Sequence, residues 1–274
     1  MKSLTHGLYL FPLLGVIAII TGVVYLISGQ TAMQPHEDQA VELLIFCDTD
    51  LRPLIQGAGL EHGGGLLDYF QRRAGVRVKA RYSTAEELQR QLLAGGGGDL
   101  VFAADEAYME AARRAVGLMQ IQTVAWRRPV LLVPGGNPHG IATITELADS
   151  GLRLVVAGRP GAPLSRLVQQ VLADHGEGME DMFKLEHTGA AAAAGAVEAG
   201  RAAAAVMWQS EAFHPHRNVE FAGDTPVSRL TSPVNLAILS TAAQPEAASR
   251  FSAFVTSRTG REILARYGYL VNPE

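Results

Sequence analysis

From Val41 onward, short β-rich runs alternate with segments of helical periodicity, and this alternation constrains the fold more than any other feature of the sequence. The runs VELLIF, VRVKARY and DLVFA are typical of strands, whereas AEELQRQLLA and EAYMEAARRA have the apolar spacing of amphipathic helices. Strands separated by helices favour βαβ units and a mostly parallel sheet that helices cover on both faces. The sequence therefore predicts an α/β protein.

The same alternation begins again after Arg128, with PVLLVP, LRLVVAG and AAAAVMW as further strands. Near the C-terminus, VNLAILS is typical of a strand, and one or two closing helices follow it, which suggests that the chain returns to the first set. We therefore predict two lobes, the first formed by residues 41–127 with 234–274 and the second by residues 128–233. Lobes of this kind bind ligands between them, where strands end and helices begin.

The N-terminus contains a stretch of 20 residues without a charge, from Leu8 to Ile27. At about 1.5 Å per residue a helix of this length crosses a hydrocarbon core of roughly 30 Å. Lys2 on one side, and Glu37 and Asp38 on the other, favour an N-terminus inside the cell and a body outside it. No A-x-A cleavage motif follows, so we expect an uncleaved transmembrane anchor in the cell membrane, with residues 28–40 as a polar tether. Secretion to the periplasm after signal cleavage is the alternative.

Several classes of function are disfavoured by what the sequence contains. A formal charge of −4 with no basic run argues against a nucleic-acid partner. P-loop, nucleophile-elbow and zinc motifs are absent from the sequence, so we predict neither an enzyme nor a cofactor. The HPH at 214–216 lacks a nearby third ligand and is not interpreted as a metal site. Cys47, the sole cysteine, has no basic neighbour to lower its pKa and is predicted to be an inert buried thiol.

Two loops that follow predicted strands place polar residues at helix starts. FCDTDLRP puts Thr49 or Asp50 in the capping position, and YSTAEEL does the same with Ser83 or Thr84. Helix capping alone accounts for these residues. Ligand binding is the other interpretation, because exposed backbone N–H groups at a helix start attract anions.

Two further segments belong to the second lobe. GRPGAPLSRL brings the backbone around Ala162 to the start of a helix that opens with Pro163. VMWQSEAF ends a predicted strand at Trp208, which is interpreted either as a core residue or as part of a pocket wall.

In order and spacing, these segments resemble the periplasmic solute-binding proteins of ABC importers, and among them the molybdate-binding group. FCDTDLRPL is similar to a family pattern C-A-x-x-L-R-P-P, and RYSTAEEL to a Tyr-Gly-Gly-Ser-Gly loop. The other matching segments are GDLVFAADEAYMEAA, PGGNPHGIATITELA, GRAAAAVMWQSEA and SRFSAFVTSRTGREILARYGY. The resemblance runs from about Val41 to Tyr269. It implies a type II periplasmic-binding-protein fold, a small-molecule ligand, an ABC permease as partner and no catalysis.

In that group, hydroxyls and backbone N–H groups hold a tetrahedral oxyanion such as molybdate. Here Asp48 and Asp50 stand where small neutral residues are expected, and Trp208 replaces a binding Tyr. Because a carboxylate repels a dianion, either these carboxylates turn away as caps or the ligand is not molybdate. A membrane-anchored scaffold or sensor that has lost the oxyanion site is the alternative function. The predicted ligand-binding residues are Thr49, Asp50, Ser83, Thr84, Ala162 and Trp208.

Overall fold

The computed structural model describes residues 41–57, 64–176, 186–212, 218–223 and 230–272. Their strands form two five-stranded sheets, with orders β2-β1-β3-β10-β4 and β7-β6-β8-β5-β9. The strands of the first sheet are β1 (Glu42–Asp48), β2 (Arg77–Ser83), β3 (Leu100–Ala103), β4 (Leu118–Arg127) and β10 (Ser232–Leu239). Those of the second sheet are β5 (Pro129–Pro134), β6 (Leu154–Ala157), β7 (Glu186–Thr188), β8 (Ala204–Trp208) and β9 (Val219–Phe221).

Most strands of each sheet run in one direction, because helices connect them. β1 is parallel to β2 and β3, and β6 is parallel to β7 and β8. The exceptions are β10, antiparallel to β3 and β4, and β5, antiparallel to β8 and β9. Each exception is a strand that the chain reaches by passing from one sheet to the other. No helix packed on the newly entered sheet reverses the chain before such a strand. The strand therefore runs antiparallel to its neighbours.

The described helices lie on the faces of the sheets, and they begin at local signals that the sequence carries. Thr84 and Asp105 cap two of them by accepting hydrogen bonds from Glu87 N and Ala107 N, so that of the two predicted candidates, Ser83 and Thr84, the second is the cap. The helices are α1 (Arg52–Gln56), α2 (Leu66–Ala74), α3 (Ala85–Leu93), α4 (Glu106–Val116), α5 (Ile144–Ser150), α6 (Pro163–His175), α7 (Ala190–Glu198), α8 (Pro245–Thr256) and α9 (Arg258–Arg266).

Apolar cores cover both faces of the first sheet. Because side chains alternate along a strand, Leu43 and Ile45 of β1 face one core while Phe46 faces the other. The first core contains α1, α2, α8 and α9, and in it the rings of Phe70 and Phe251 meet edge to face at 5.0 Å. The second contains α3 and α4. Leu93, the last residue of α3, lies outside this core and is 65% exposed.

The second sheet is built with small side chains. Ala193 and Ala194 of α7 are fully buried in the same core as Ala204 and Ala205 of β8. Small side chains let a helix approach a sheet closely, which explains the alanine-rich sequence of this region. Leu164, Val168 and Leu172 of α6 are buried in the same core.

The C-terminal segment completes the first core. β10 lies between β3 and β4, and Trp126 and Leu270 exchange two backbone hydrogen bonds of 2.8 and 2.9 Å. Tyr267 and Tyr269 are buried in the core that also contains Leu43, more than 200 residues earlier in the chain. The first sheet is therefore assembled from both ends of the described chain.

The predicted membrane span, Leu8 to Ile27, lies outside the described residues. Within the parts of the chain that the structure describes, no helix has the length and apolar character that crossing a bilayer requires.

We expect Gly260 to be required for the packing of α9. A Cβ atom there would lie 2.2 Å from Val255 O and 2.4 Å from Phe254 O, so the Gly260→Ala variant should lose about 1 to 3 kcal/mol of unfolding free energy. Gly195 of α7 is the matched control, since a Cβ there meets nothing within 4 Å. Gly195→Ala should gain about 0.5 to 1 kcal/mol. Urea unfolding measures both, and equal stability of the two variants would contradict this packing.

Candidate ligand-binding site

A cavity of about 870 Å³ lies where strand ends of the two sheets meet. From the first sheet it is lined by the loops that follow β1, β2 and β3, and from the second by those that follow β6, β7 and β8. Carboxyl ends of strands are the usual place for ligands in α/β proteins. The lining includes all six residues selected from the sequence, namely Thr49, Asp50, Ser83, Thr84, Ala162 and Trp208.

The loop after β1 differs in detail from its prediction. The N-cap is Asp48, not Thr49 or Asp50, and its carboxylate accepts a hydrogen bond from Asp50 N at 3.3 Å. A single 3-10 turn, Thr49–Leu51, intervenes before α1, which moves the cap upstream. The Thr49 hydroxyl is thereby free to donate to Ser83 O at 3.3 Å, which ties the loop to the end of β2.

The hydroxyls of the second loop are also engaged. Ser83 is buried, and its Oγ is hydrogen-bonded to Tyr108 Oη of α4 at 3.0 Å. Thr84 Oγ1 accepts from Glu87 N, and the Thr84 side chain is hydrogen-bonded to the Glu86 carboxylate. Both residues therefore line the cavity while bonding to α3 and α4, the helices on that face of the first sheet.

Arg127 is the residue of this region that sequence reasoning missed. It ends β4, its side chain is 2% exposed, and Nη1 donates to Asp50 Oδ2 at 3.2 Å. Nη2 donates to Ala104 O at 2.5 Å, and Cζ lies 4.3 Å from the ring centroid of Trp208. The signal in the sequence is an arginine directly after the apolar residues Val124, Ala125 and Trp126, because a charge that is buried with them requires a partner. Arg127 thus explains Asp50: the carboxylate neutralises a buried guanidinium.

Carboxyl groups near Arg127 have perturbed pKa values. Burial, and then the negative charge of Asp50, raise the pKa of Asp48 to about 6 although Arg127 opposes the shift. The same two causes raise the pKa of Glu211 to about 7, again against Arg127. Three carboxyls therefore share one guanidinium, and proton binding relieves the excess negative charge.

The second sheet contributes basic side chains and two helix starts. Arg159, Arg166 and His187 line the cavity, together with the N-caps of α6 and α7, Ala162 and Gly189. Neither N-cap has a side chain that accepts a hydrogen bond from the helix. Backbone N–H groups at such starts are available to an anion.

One ion pair and one longer-range charge interaction act between the two sides of the cavity. Arg166 Nη2 lies 4.0 Å from Asp105 Oδ1, at the start of α4. The pKa of the Glu86 carboxyl is lowered mainly by hydrogen bonds to the Glu86 backbone N–H and to the Thr84 side chain. The positive charge of Arg159 lowers it further. The two sides are therefore electrostatically complementary.

Comparison with protein families assigns the chain to one of them. The model of the bacterial extracellular solute-binding protein family matches residues 65–270. The chain belongs to this family. Its solute-binding character, inferred above from the order of the segments, is thereby confirmed at the level of the family.

Individual proteins that are similar to this chain are consistent with the family assignment. The molybdate-binding protein ModA of Mycobacterium tuberculosis is 24% identical over 254 residues, which cover 92% of this chain and 94% of ModA. The fold is similar to that of the periplasmic molybdate-binding protein of Azotobacter vinelandii, with a TM-score of 0.61 and 16% identity over 84% of this chain and 99% of that one. It is also similar to iron-bound HitA of Pseudomonas aeruginosa, with a TM-score of 0.66 and 17% identity over 85% and 89%.

The lone cysteine and the possible metal ligands were the other candidate sites in the sequence. Cys47 is a free, fully buried thiol, as predicted, and burial followed by the charge of Asp48 raises its pKa. The HPH at 214–216 lies outside the described residues. Across the residues that the structure describes, no group of three or more His, Cys, Asp or Glu side chains could hold a metal ion.

The raised pKa of Glu211 gives the stability of this solute-binding protein a dependence on pH. Glu211 titrates near 4.5 in an unfolded chain and near 7 in the folded one, so the folded state binds more protons between these values. Its contribution to the unfolding free energy therefore falls as pH rises from about 4.5 to about 7. Glu211→Gln cannot ionise, and it should be more stable than the parent at pH 8 by about 1 to 3 kcal/mol.

Urea unfolding at pH 5 and pH 8 measures this effect. The advantage of Glu211→Gln should shrink at pH 5, where the parent carboxyl is mostly protonated. Exposed Glu198 supplies the matched control, and Glu198→Gln should change stability little at either pH. An advantage of Glu211→Gln that is the same at both pH values would contradict the shift.

Proposed function

We propose that this chain is an extracytoplasmic solute-binding protein that closes two lobes on a small anionic ligand and delivers it to an ABC importer. The observation that carries the proposal is the convergence of six strand ends, three from each sheet, on one cavity. The lobes are residues 41–127 with 234–274, and residues 128–233. The bends lie near Arg128 and Pro233, where the chain passes between the sheets.

The proposed ligand-binding residues are Thr49, Asp50, Ser83, Thr84, Trp208 and the backbone at Ala162. An oxyanion group is supported by Arg159, Arg166 and the starts of α6 and α7 on the second lobe. The molybdate-binding relatives support the same class. Asp50 contributes indirectly, because its charge is neutralised by Arg127 and so repels an anion less than a free carboxylate would.

A second function rests on the same ion pair. If Asp50 and Trp208 keep Arg127 permanently occupied, the cavity can serve a membrane-anchored scaffold or sensor that binds no oxyanion. The two functions differ in whether a small ligand closes the lobes.

Binding of molybdate, sulfate and phosphate tests the solute-binding proposal. A ligand at 100 times its dissociation constant adds about 2.7 kcal/mol to the unfolding free energy, which raises the thermal midpoint. Small-angle scattering should show a smaller radius of gyration with the same anion, because the lobes close. A midpoint and radius unchanged by all three inorganic anions, and also by the organic anion phosphoethanolamine, would favour the scaffold.

Two serine variants test whether the anion binds in the cavity. Ser83→Ala removes a hydroxyl that lines the cavity and should weaken binding of the active anion by about 1 kcal/mol in isothermal titration. Ser150→Ala is the control, since Ser150 Oγ donates to Leu147 O, and neither residue lines the cavity. Equal losses in the two variants would place the anion elsewhere.

We also propose that residues 8–27 anchor the protein in the membrane, with secretion after cleavage as the alternative. Cell fractionation should then recover the full-length chain with the membranes, released by detergent but not by salt. A soluble periplasmic product with an N-terminus near residue 30 would show that the segment is a cleaved signal.

A further inference from the structure

The side of the cavity that belongs to the first lobe presents mainly hydrogen-bond acceptors. The Thr49 hydroxyl already donates its proton to Ser83 O, and the Thr84 hydroxyl is bonded to the Glu86 carboxylate. Each hydroxyl therefore has lone pairs to offer, whereas an oxyanion needs donors. We call this side the acceptor wall; its carboxylates are those of Asp48, Asp50, Glu86 and Asp105.

The side that belongs to the second lobe presents mainly donors. Arg159 and Arg166 line it, with the backbone at the starts of α6 and α7 and the Thr188 hydroxyl. We call this side the donor wall. Glu211 also belongs to the second lobe, and its carboxylate accepts a hydrogen bond from Trp208 N at 3.3 Å.

The walls are paired with each other, and this pairing limits what can enter. Arg166 Nη2 lies 4.0 Å from Asp105 Oδ1, and the positive charge of Arg159 attracts the Glu86 carboxylate and so helps to lower its pKa. An anion that binds both arginines takes them from these carboxylates and then faces the carboxylates itself. A positive group on the same ligand removes that repulsion, because it replaces the arginines as the partner of the acceptor wall.

The size of the cavity agrees with such a ligand. A volume of about 870 Å³ falls in the range of pockets that hold organic small molecules, and it exceeds the needs of a single tetrahedral anion. We propose that the ligand is a dipolar small molecule, with a phosphate, sulfonate or carboxylate group on the donor wall and an ammonium group on the acceptor wall. This inference rests on the proposed function and specifies the ligand class of the same site.

Three probes that share one carbon skeleton test the inference by isothermal titration. Phosphoethanolamine carries both charges, ethyl phosphate only the anion, and ethanolamine only the ammonium. Phosphoethanolamine should bind at least about tenfold more tightly than either of the others. Binding of ethyl phosphate or an inorganic oxyanion with equal or greater affinity would overturn the dipolar class and leave the solute-binding function standing. No binding by any of the three probes would also overturn it, and lobe closure on inorganic anions would then decide the function.

Two variants assign the ends of the probe. Asp105→Asn keeps the capping oxygen but removes a charge of the acceptor wall, so the preference for phosphoethanolamine over ethyl phosphate should fall several-fold. Arg166→Gln should weaken both phosphate probes. Glu110→Gln is the charge-matched control, on the helix that Asp105 caps but outside the cavity lining, and should keep the parent preference. An unchanged preference in Asp105→Asn would place the ammonium elsewhere and overturn the assignment.

Discussion

Much of this molecule depends on the guanidinium of Arg127, which lies buried at the end of β4, one residue before the chain leaves the first sheet. A buried charge is unfavourable without partners, and Arg127 finds them on both sides of the passage. Asp50 and Ala104 O lie in loops that follow strands of the first sheet, while the ring of Trp208 belongs to the last residue of β8, in the second sheet. A planar guanidinium can hydrogen-bond at its edge and stack on its face at once, which a lysine ammonium cannot do. The two sheets therefore meet around one cation.

This cation also explains why the residues of the cavity could be predicted better than their roles. Thr49, Ser83 and Trp208 were found because each lies at the end of a strand or directly after it, and strand ends converge by topology alone. Their contacts involve neighbours from distant segments, such as Tyr108, which is hydrogen-bonded to Ser83, and Arg127, which stacks on Trp208, and local patterns do not reveal these neighbours. The shift of the N-cap to Asp48 has the same origin, since a 3-10 turn changes the capping position without changing the composition.

The fold was predictable where apolar periodicity is strong. β1, α3 and α4 have clear patterns, and the structure has them close to their expected positions. β4 was not recognised as a ten-residue strand, because much of its length is exposed at the edge of the sheet and its apolar residues do not alternate. β9, with three residues, is too short to have a pattern. Edge strands of this kind are defined by their partner rather than by their own sequence.

The insertion of β10 between β3 and β4 has a consequence for the order in which the molecule is made. The second sheet is formed by one continuous stretch, residues 129–221, so its contacts become available while the C-terminal helices are still to come. The first sheet cannot close until β10 and Tyr269 have emerged, because both fill its core. Contacts between distant segments form slowly, since closing a long loop has an entropic cost. A chain of this topology can therefore complete its second sheet before its first, although the first sheet contains the N-terminal strand of the described residues.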